Sequence, residues 1–203
     1  CPWCLIGKRQ LDAASSRLAE LRPDARLRIV WRSYPLLPDT PAGGLPYQAF
    51  YVARLGSPEA VARRRAQVLQ AGQAAGVPFA FDRIDVLPNT AAAHARVAQA
   101  AAVGTEAQQR RLVDRIFMAY FNQGQDIGDA SVLTQLAREC GLPADPSIAD
   151  RDGERNQERH PQAKVRHLVS GVPFFVFDAS LALAGAVSAD TLLDAMLRAL
   201  TPA

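Results

Sequence analysis

The sequence predicts an α/β fold in which one small sheet is interrupted by a large all-helical insertion. Three observations predict it. Strand-like patterns occur only near the two ends of the chain, at "ARLRIVWRSY" (25–34) and "GVPFFVFDASLALAG" (171–185). About a hundred residues of helical pattern lie between them, each segment with its own start and stop signals. A helical pattern at each end flanks the strand-like runs. The simplest topology lets both ends share one sheet, with the helical block inserted between them as a lid.

In order along the chain, Leu5, Leu11, Ala14, Leu18 and Leu21 recur at helical spacing from Pro2 to Leu21, and Pro23-Asp24 stops the pattern. Leu27, Ile29 and Trp31 then alternate with Arg26, Arg28 and Arg32, broken only by Val30, which predicts a strand with at least one covered face. Pro35, Pro38, Pro41, Gly43, Gly44 and Pro46 mark a long loop. Ser57-Pro58-Glu59 opens a helix that Gly76 closes, and Asn89 or Thr90 opens another that Gly104 closes. Thr105-Glu106 starts a segment ending near Gly124, Asp129 starts one ending at Gly141, and a polar, broken helix is expected from about Pro146 to His167. Phe174 to Phe177 and Leu181 to Ala184 flank an Asp178-Ala179-Ser180 turn and read as a hairpin. Ser188 caps a last amphipathic helix carrying Leu192, Leu193, Met196, Leu197 and Leu200. The expected division is a discontinuous domain of residues 1–50 and 165–203 with a helical domain, 51–164, inserted into it.

At 203 residues and 49% hydrophobic, the chain can bury a full core without crosslinks. Its three cysteines are too few, and odd in number, for a secreted disulfide framework, which favours chemistry over scaffold and a reducing compartment. The net charge of +3 comes from dispersed arginines, and the densest run, Ala62 to Gln67, reads as a solvated helix face. No recognition motif or aromatic interleaving accompanies it, so nucleic acid is not an expected partner. No apolar stretch reaches membrane-spanning length, and no signal peptide is visible.

The chemistry concentrates in "CPWC", residues 1–4. At a helix start the first sulfur sits beside unsatisfied amides and the positive end of the helix dipole, which favours its thiolate. Cys1 is then the nucleophile, and Cys4, one turn further in, resolves the mixed disulfide that Cys1 forms. Pro2 suits the first helical turn, and Trp3 can shield the sulfurs or offer an apolar face to a partner. Three alternatives stay open here. A zinc site needs two further ligands, and Cys140, His94, His160 and His167 do not supply the paired spacing. A structural disulfide across so short a loop constrains little. Two inert, buried thiols are the third, against which Pro2 and the helix start place Cys1 at a terminus.

"CPWCLIGK" at a helix start, "GVPFFVF" before a hairpin, "NTAAAH" in the helical block and "FNQGQDIGD" after it together resemble the DsbA-like thioredoxin-fold proteins, specifically the FrnE-like branch. The resemblance spans nearly the whole chain. It implies a thioredoxin-like fold with a helical insertion and thiol–disulfide exchange in the cytoplasm, on protein or small-molecule disulfides, with no cofactor beyond the Cys1–Cys4 pair. It further implies that Pro173 is cis and lies against the CxxC. Val172 then offers backbone groups to an extended substrate, and Asn89 and His94 face the cleft. The family begins with a strand running into the CxxC, so a strand before Cys1 is expected in the natural protein, beside Leu27 to Trp31. Where the family tends to carry Gly-Ala-Gln, this chain has Gly185-Ala186-Val187. Glutathione-dependent isomerases and kappa-class glutathione transferases are similar in architecture and supply the alternative function, with glutathione as co-substrate. They typically carry a single serine at the attacking position, and Cys4 argues against that reading. A non-enzymatic interaction module is a third hypothesis, marked by an unreactive Cys1. The oligomeric state is left open, a homodimer included.

Of the remaining residues, Asn89 or Thr90 reads first as a cap and His94 as a partly exposed histidine one turn inside. Cys140, before the Gly141 helix stop, reads as a small buried hydrophobe. Tyr120, Phe121, Phe174, Phe175 and Phe177 are expected in the core, and core packing is the first reading of Tyr47, Phe50 and Tyr51 over a substrate groove.

Overall fold

A computed structural model describes residues 1–144, 169–178 and 181–200. The expected helix over 146–167 lies outside the described residues. The chain divides into two compact units, one formed by Cys1–Ile29, Gln70–Val77 and the described part of Arg159–Ala203, the other by Val30–Leu69 and the described part of Pro78–Glu158.

The first unit holds α1 (Pro2–Leu21), a hairpin of β3 (Phe174–Phe177) and β4 (Leu181–Ala184), and α7 (Ala189–Ala199). The apolar spacing of α1 buries Leu5, Ile6, Leu11, Ala14 and Leu18, and that of α7 buries Leu192, Leu193, Ala195 and Met196. The two helices pack on each other, and α7 packs on β3. Polar contacts tie the pair: Gln10 Oε1 accepts a hydrogen bond from Ala189 N at 2.9 Å, and Arg17 pairs with Asp190. The strands are antiparallel, with Phe174 opposite Ala184 and Phe177 opposite Leu181. Asp178 takes a left-handed conformation (φ 47°), which a short polar side chain tolerates in a tight turn. Phe174, Phe175 and Phe177 are half-buried, not enclosed in the core, because this two-stranded sheet has too few strands to cover both faces.

The expected strand at Leu27 to Trp31 is not formed: no ladder pairs it among the described residues, and Leu27 and Val30 are 41% and 39% exposed. Alternation supplies the propensity for a strand, but a strand exists only where a partner takes its backbone groups.

The second unit contains β1 (Leu45–Pro46), α2 (Tyr47–Leu55), β2 (Val86–Leu87), α4 (Ala91–Val103), α5 (Glu106–Phe121) and α6 (Ala130–Glu139). It also holds most of α3 (Pro58–Ala74), which Ser57 caps through Ala60 N at 3.2 Å. The two short strands pair antiparallel, Leu45 opposite Leu87. Gly44 makes this possible: at φ 74° a Cβ there would meet Val86 Cγ1 and the Leu87 carbonyl oxygen at 2.5 and 2.7 Å. Helices α4, α5 and α6 pack on one another. Buried residues of these helices include Leu112, Ile116, Ala119, Tyr120, Leu133, Leu136 and Ala137, and Cys140 follows α6 at 1% exposure. Thr105 and Gln108 close the start of α5 with a reciprocal capping box, and Gln108 Nε2 also reaches Gly141 O at 2.7 Å. Within the arginine run, Arg63 and Arg64 are exposed as expected, but Arg65 is half-buried over the Tyr47 and Phe81 rings. Among the described residues no helix is long and apolar enough to cross a membrane.

Candidate active site

Cys1 is the N-cap of α1 and Pro2 opens the helix, so the CxxC occupies its first turn. The Cys4 amide bonds Cys1 O at 3.1 Å, and no side chain caps this end. Cys1, Trp3 and Cys4 are all half-buried, and both cysteines are free thiols. Burial pushes the Cys4 thiol up from its ordinary value to about 11, since a thiolate loses solvation there.

The residue pair expected beside the sulfurs arrives from the other end of the unit. The Val172–Pro173 peptide bond is cis. Cys1 Sγ donates to Val172 O at 3.7 Å, a long contact suited to sulfur, across 171 positions of sequence. The Pro173 ring is buried against α1: a Cβ built on Gly7 would stand 2.9 Å from Pro173 Cγ and 3.2 Å from Phe175 Cζ. Pro173 O accepts from Gly185 N at 2.8 Å, continuing the β3–β4 ladder by one rung. The Val172 N–H has no hydrogen-bond partner among the described residues. Cys1, Cys4, Val172 and Pro173 thus gather in the first unit.

Asn89 and His94 belong to the second unit, at the start of α4. Both ends of the Asn89 amide are engaged there: Nδ2 donates to Thr40 O at 2.6 Å and Oδ1 accepts from Ala91 N at 2.9 Å. Asn89 therefore ties the proline-rich loop to the helix start and covers the end that Thr90, the formal N-cap, leaves without a side-chain bond. His94 is half-buried, and burial lowers its pKa. Among the described residues no three His, Cys, Asp or Glu side chains cluster as metal ligands, and His160 and His167 lie outside them.

Gly7 is not among the residues that the sequence motifs single out. The signal was present, since a glycine inside a long helix is about 1 kcal/mol less favourable than alanine and calls for a packing reason. Lys8 was missed as well. It is 4% exposed and pairs with Asp12 Oδ2 at 2.7 Å.

A dithiol on the first turn of a helix with a cis-proline turn against it, in a helix-rich α/β frame, defines a protein of the thioredoxin-like class. Comparison with known families makes this specific: the chain belongs to the DSBA-like thioredoxin domain family, which matches residues 1–197. Among solved structures, a probable DsbA oxidoreductase from Streptomyces coelicolor is similar at 26% identity and a TM-score of 0.81, covering 100% of this chain and 88% of that one. A 2-hydroxychromene-2-carboxylate isomerase shares the fold at 17% identity and a TM-score of 0.59, covering 98% of this chain and 90% of the other. No curated protein matches.

Proposed function

We propose that the protein is a thiol–disulfide oxidoreductase of the FrnE-like branch, acting through Cys1 and Cys4 on protein or small-molecule disulfides. The observation that carries this reading is the cis-proline turn packed on the CxxC helix, with Val172 O at 3.7 Å from Cys1 Sγ. In the reducing direction the Cys1 thiolate attacks one sulfur of a substrate disulfide, forming a mixed disulfide and releasing the other substrate sulfur as a thiolate. Cys4 gives its proton to the departing substrate thiolate and attacks Cys1 Sγ, releasing the second substrate sulfur as a thiolate. The protein dithiol loses two electrons and two protons and becomes the Cys1–Cys4 disulfide, and the substrate gains both. Burial holds the Cys4 thiol protonated at neutral pH. Pro173 shapes the turn, Trp3 offers an apolar face, and the Val172 N–H and C=O pair with an extended substrate backbone. The role of residues 51–164 as an inserted domain rests on the helical pattern between the two strand-bearing ends, and a cytoplasmic location and substrate contacts from Asn89 and His94 rest on the sequence resemblance.

The test is a reduced, glutathione-free sample given a disulfide substrate. The dithiol should reduce it stoichiometrically, without added thiol. Turnover that requires glutathione and survives Cys4→Ser would instead identify a glutathione-activating isomerase or transferase.

A further inference from the structure

We propose that Gly7 is a positioning residue for exchange: the space left by its missing side chain sets how closely Pro173 approaches the CxxC helix, and so where Val172 holds a peptide strand relative to Cys1 Sγ. The proposal rests on the dithiol reading above. Gly7 lies three residues beyond Cys4 on the same face of α1, and it is buried. A Cβ there would meet Pro173 Cγ at 2.9 Å, Phe175 Cζ at 3.2 Å and Pro173 Cβ at 3.3 Å, where ordinary carbon contacts are about 3.5–4.0 Å. A proline ring cannot swing aside as a flexible chain end would. Nor are the flanking pieces free to yield. Helix α1 is tied to α7 through Gln10–Ala189 and Arg17–Asp190, and the Pro173 carbonyl is held by Gly185 N at 2.8 Å. The displacement falls on the Val172–Pro173 turn, which carries the carbonyl beside Cys1 and the N–H with no partner among the described residues.

The consequence is selective. A small aromatic disulfide that meets only the sulfur should lose much less rate in Gly7→Ala than a peptide disulfide does. A disulfide-linked peptide that must also align its backbone on Val172 should react more slowly, by about tenfold for a sub-ångström shift, chiefly through a raised KM. The experiment compares wild type, Gly7→Ala and Ala13→Gly, the last an exposed α1 position that perturbs the helix without touching Pro173. Both disulfides are used, and folding is checked by circular dichroism. A peptide-to-small-disulfide rate ratio that drops in Gly7→Ala and stays constant in Ala13→Gly supports the proposal. An unchanged ratio in Gly7→Ala, with wild type active, overturns it and leaves the dithiol reading standing, whereas an inert wild type removes both. If Gly7→Ala does not fold, Phe175→Leu, which takes away the 3.2 Å neighbour of the same space, is compared with wild type instead. An unchanged peptide-to-small-disulfide ratio there overturns the proposal.

Discussion

Helices α1 and α7 pack side by side, yet their starts are finished in opposite ways. At α7, Ser188 Oγ accepts from Thr191 N at 3.2 Å, and Gln10 reaches over from α1 to take the Ala189 amide. Asp190 adds a negative charge in the first turn. At α1 the capping position holds a thiol that makes no capping bond, and the first turn has no acidic residue. Neutral sulfur is a poor acceptor, so the open amides act on it only once it has lost its proton. One helix start is closed by its own side chains and a neighbour, and the other is left open. The neighbouring turns supply the compensation: Lys8–Asp12 and the two ties to α7 hold α1 from within.

The sharpest way to break this contrast is at the sulfur. Cys1→Ser should abolish disulfide exchange while the chain stays folded, and Cys4→Ser should accumulate mixed disulfides visible by mass spectrometry. Exchange by Cys1→Ser at the wild-type rate would show that the open helix start is not the site. Next is pH. With its pKa at about 11 instead of 9.0, Cys4 should carry about a hundredfold less thiolate than a free cysteine well below pH 9, so its alkylation should rise only as pH approaches 11. The sign for stability follows: the buried neutral thiol contributes fully below about 9, and that contribution is lost as pH climbs from 9 to 11, because the unfolded chain releases the proton first. Cys4 alkylation already complete at pH 8 would contradict the burial argument.

Asp12→Asn tests the compensation. It leaves the Lys8 ammonium, 4% exposed, without the carboxylate it contacts at 2.7 Å. The urea midpoint should fall by the equivalent of about 2 kcal/mol, less than the ~3–5 of a fully enclosed pair, as Asp12 retains 23% exposure. The smallest effect belongs to the closed end. Ser188→Ala should lower stability by about 1 kcal/mol and leave the exchange rate unchanged. A loss of exchange there would mean that the two starts are not separable in function.

Punctuation made the helices legible. Pro2, Ser57-Pro58, Thr105, Asp129 and Ser188 all sit where helices begin, because caps and first-turn prolines act through the few residues beside them. The helix at Tyr47–Leu55 was hidden by the prolines before it, and its nine residues are too few for a clear periodic signal. Leu27 to Trp31 failed for the complementary reason, since a strand depends on residues elsewhere. Arg65 departed from a solvated reading because Tyr47 and Phe81, 18 and 16 positions away, close over it. At the site, Cys1, Cys4 and the cis bond at Pro173 could be named in advance. The room between the helix and the proline ring could not, as it depends on the side chain that Gly7 lacks.

The separation of 171 positions between Cys1 and Val172 also has a meaning in time. A ribosome adds about 5–20 residues per second, so the partners of α1 emerge roughly ten to thirty seconds after its own synthesis. Through that interval α1 lacks the tertiary packing that supplies most of a helix's stability in a protein, and its two sulfurs stand without the proline turn beside them. Newborn chains should therefore react with oxidants and alkylating agents as unstructured cysteines do, a window that pulse-labelling of stalled nascent chains would register as equal modification of Cys1 and Cys4. Only when residues 172–199 have left the tunnel do the two thiols become chemically different from each other.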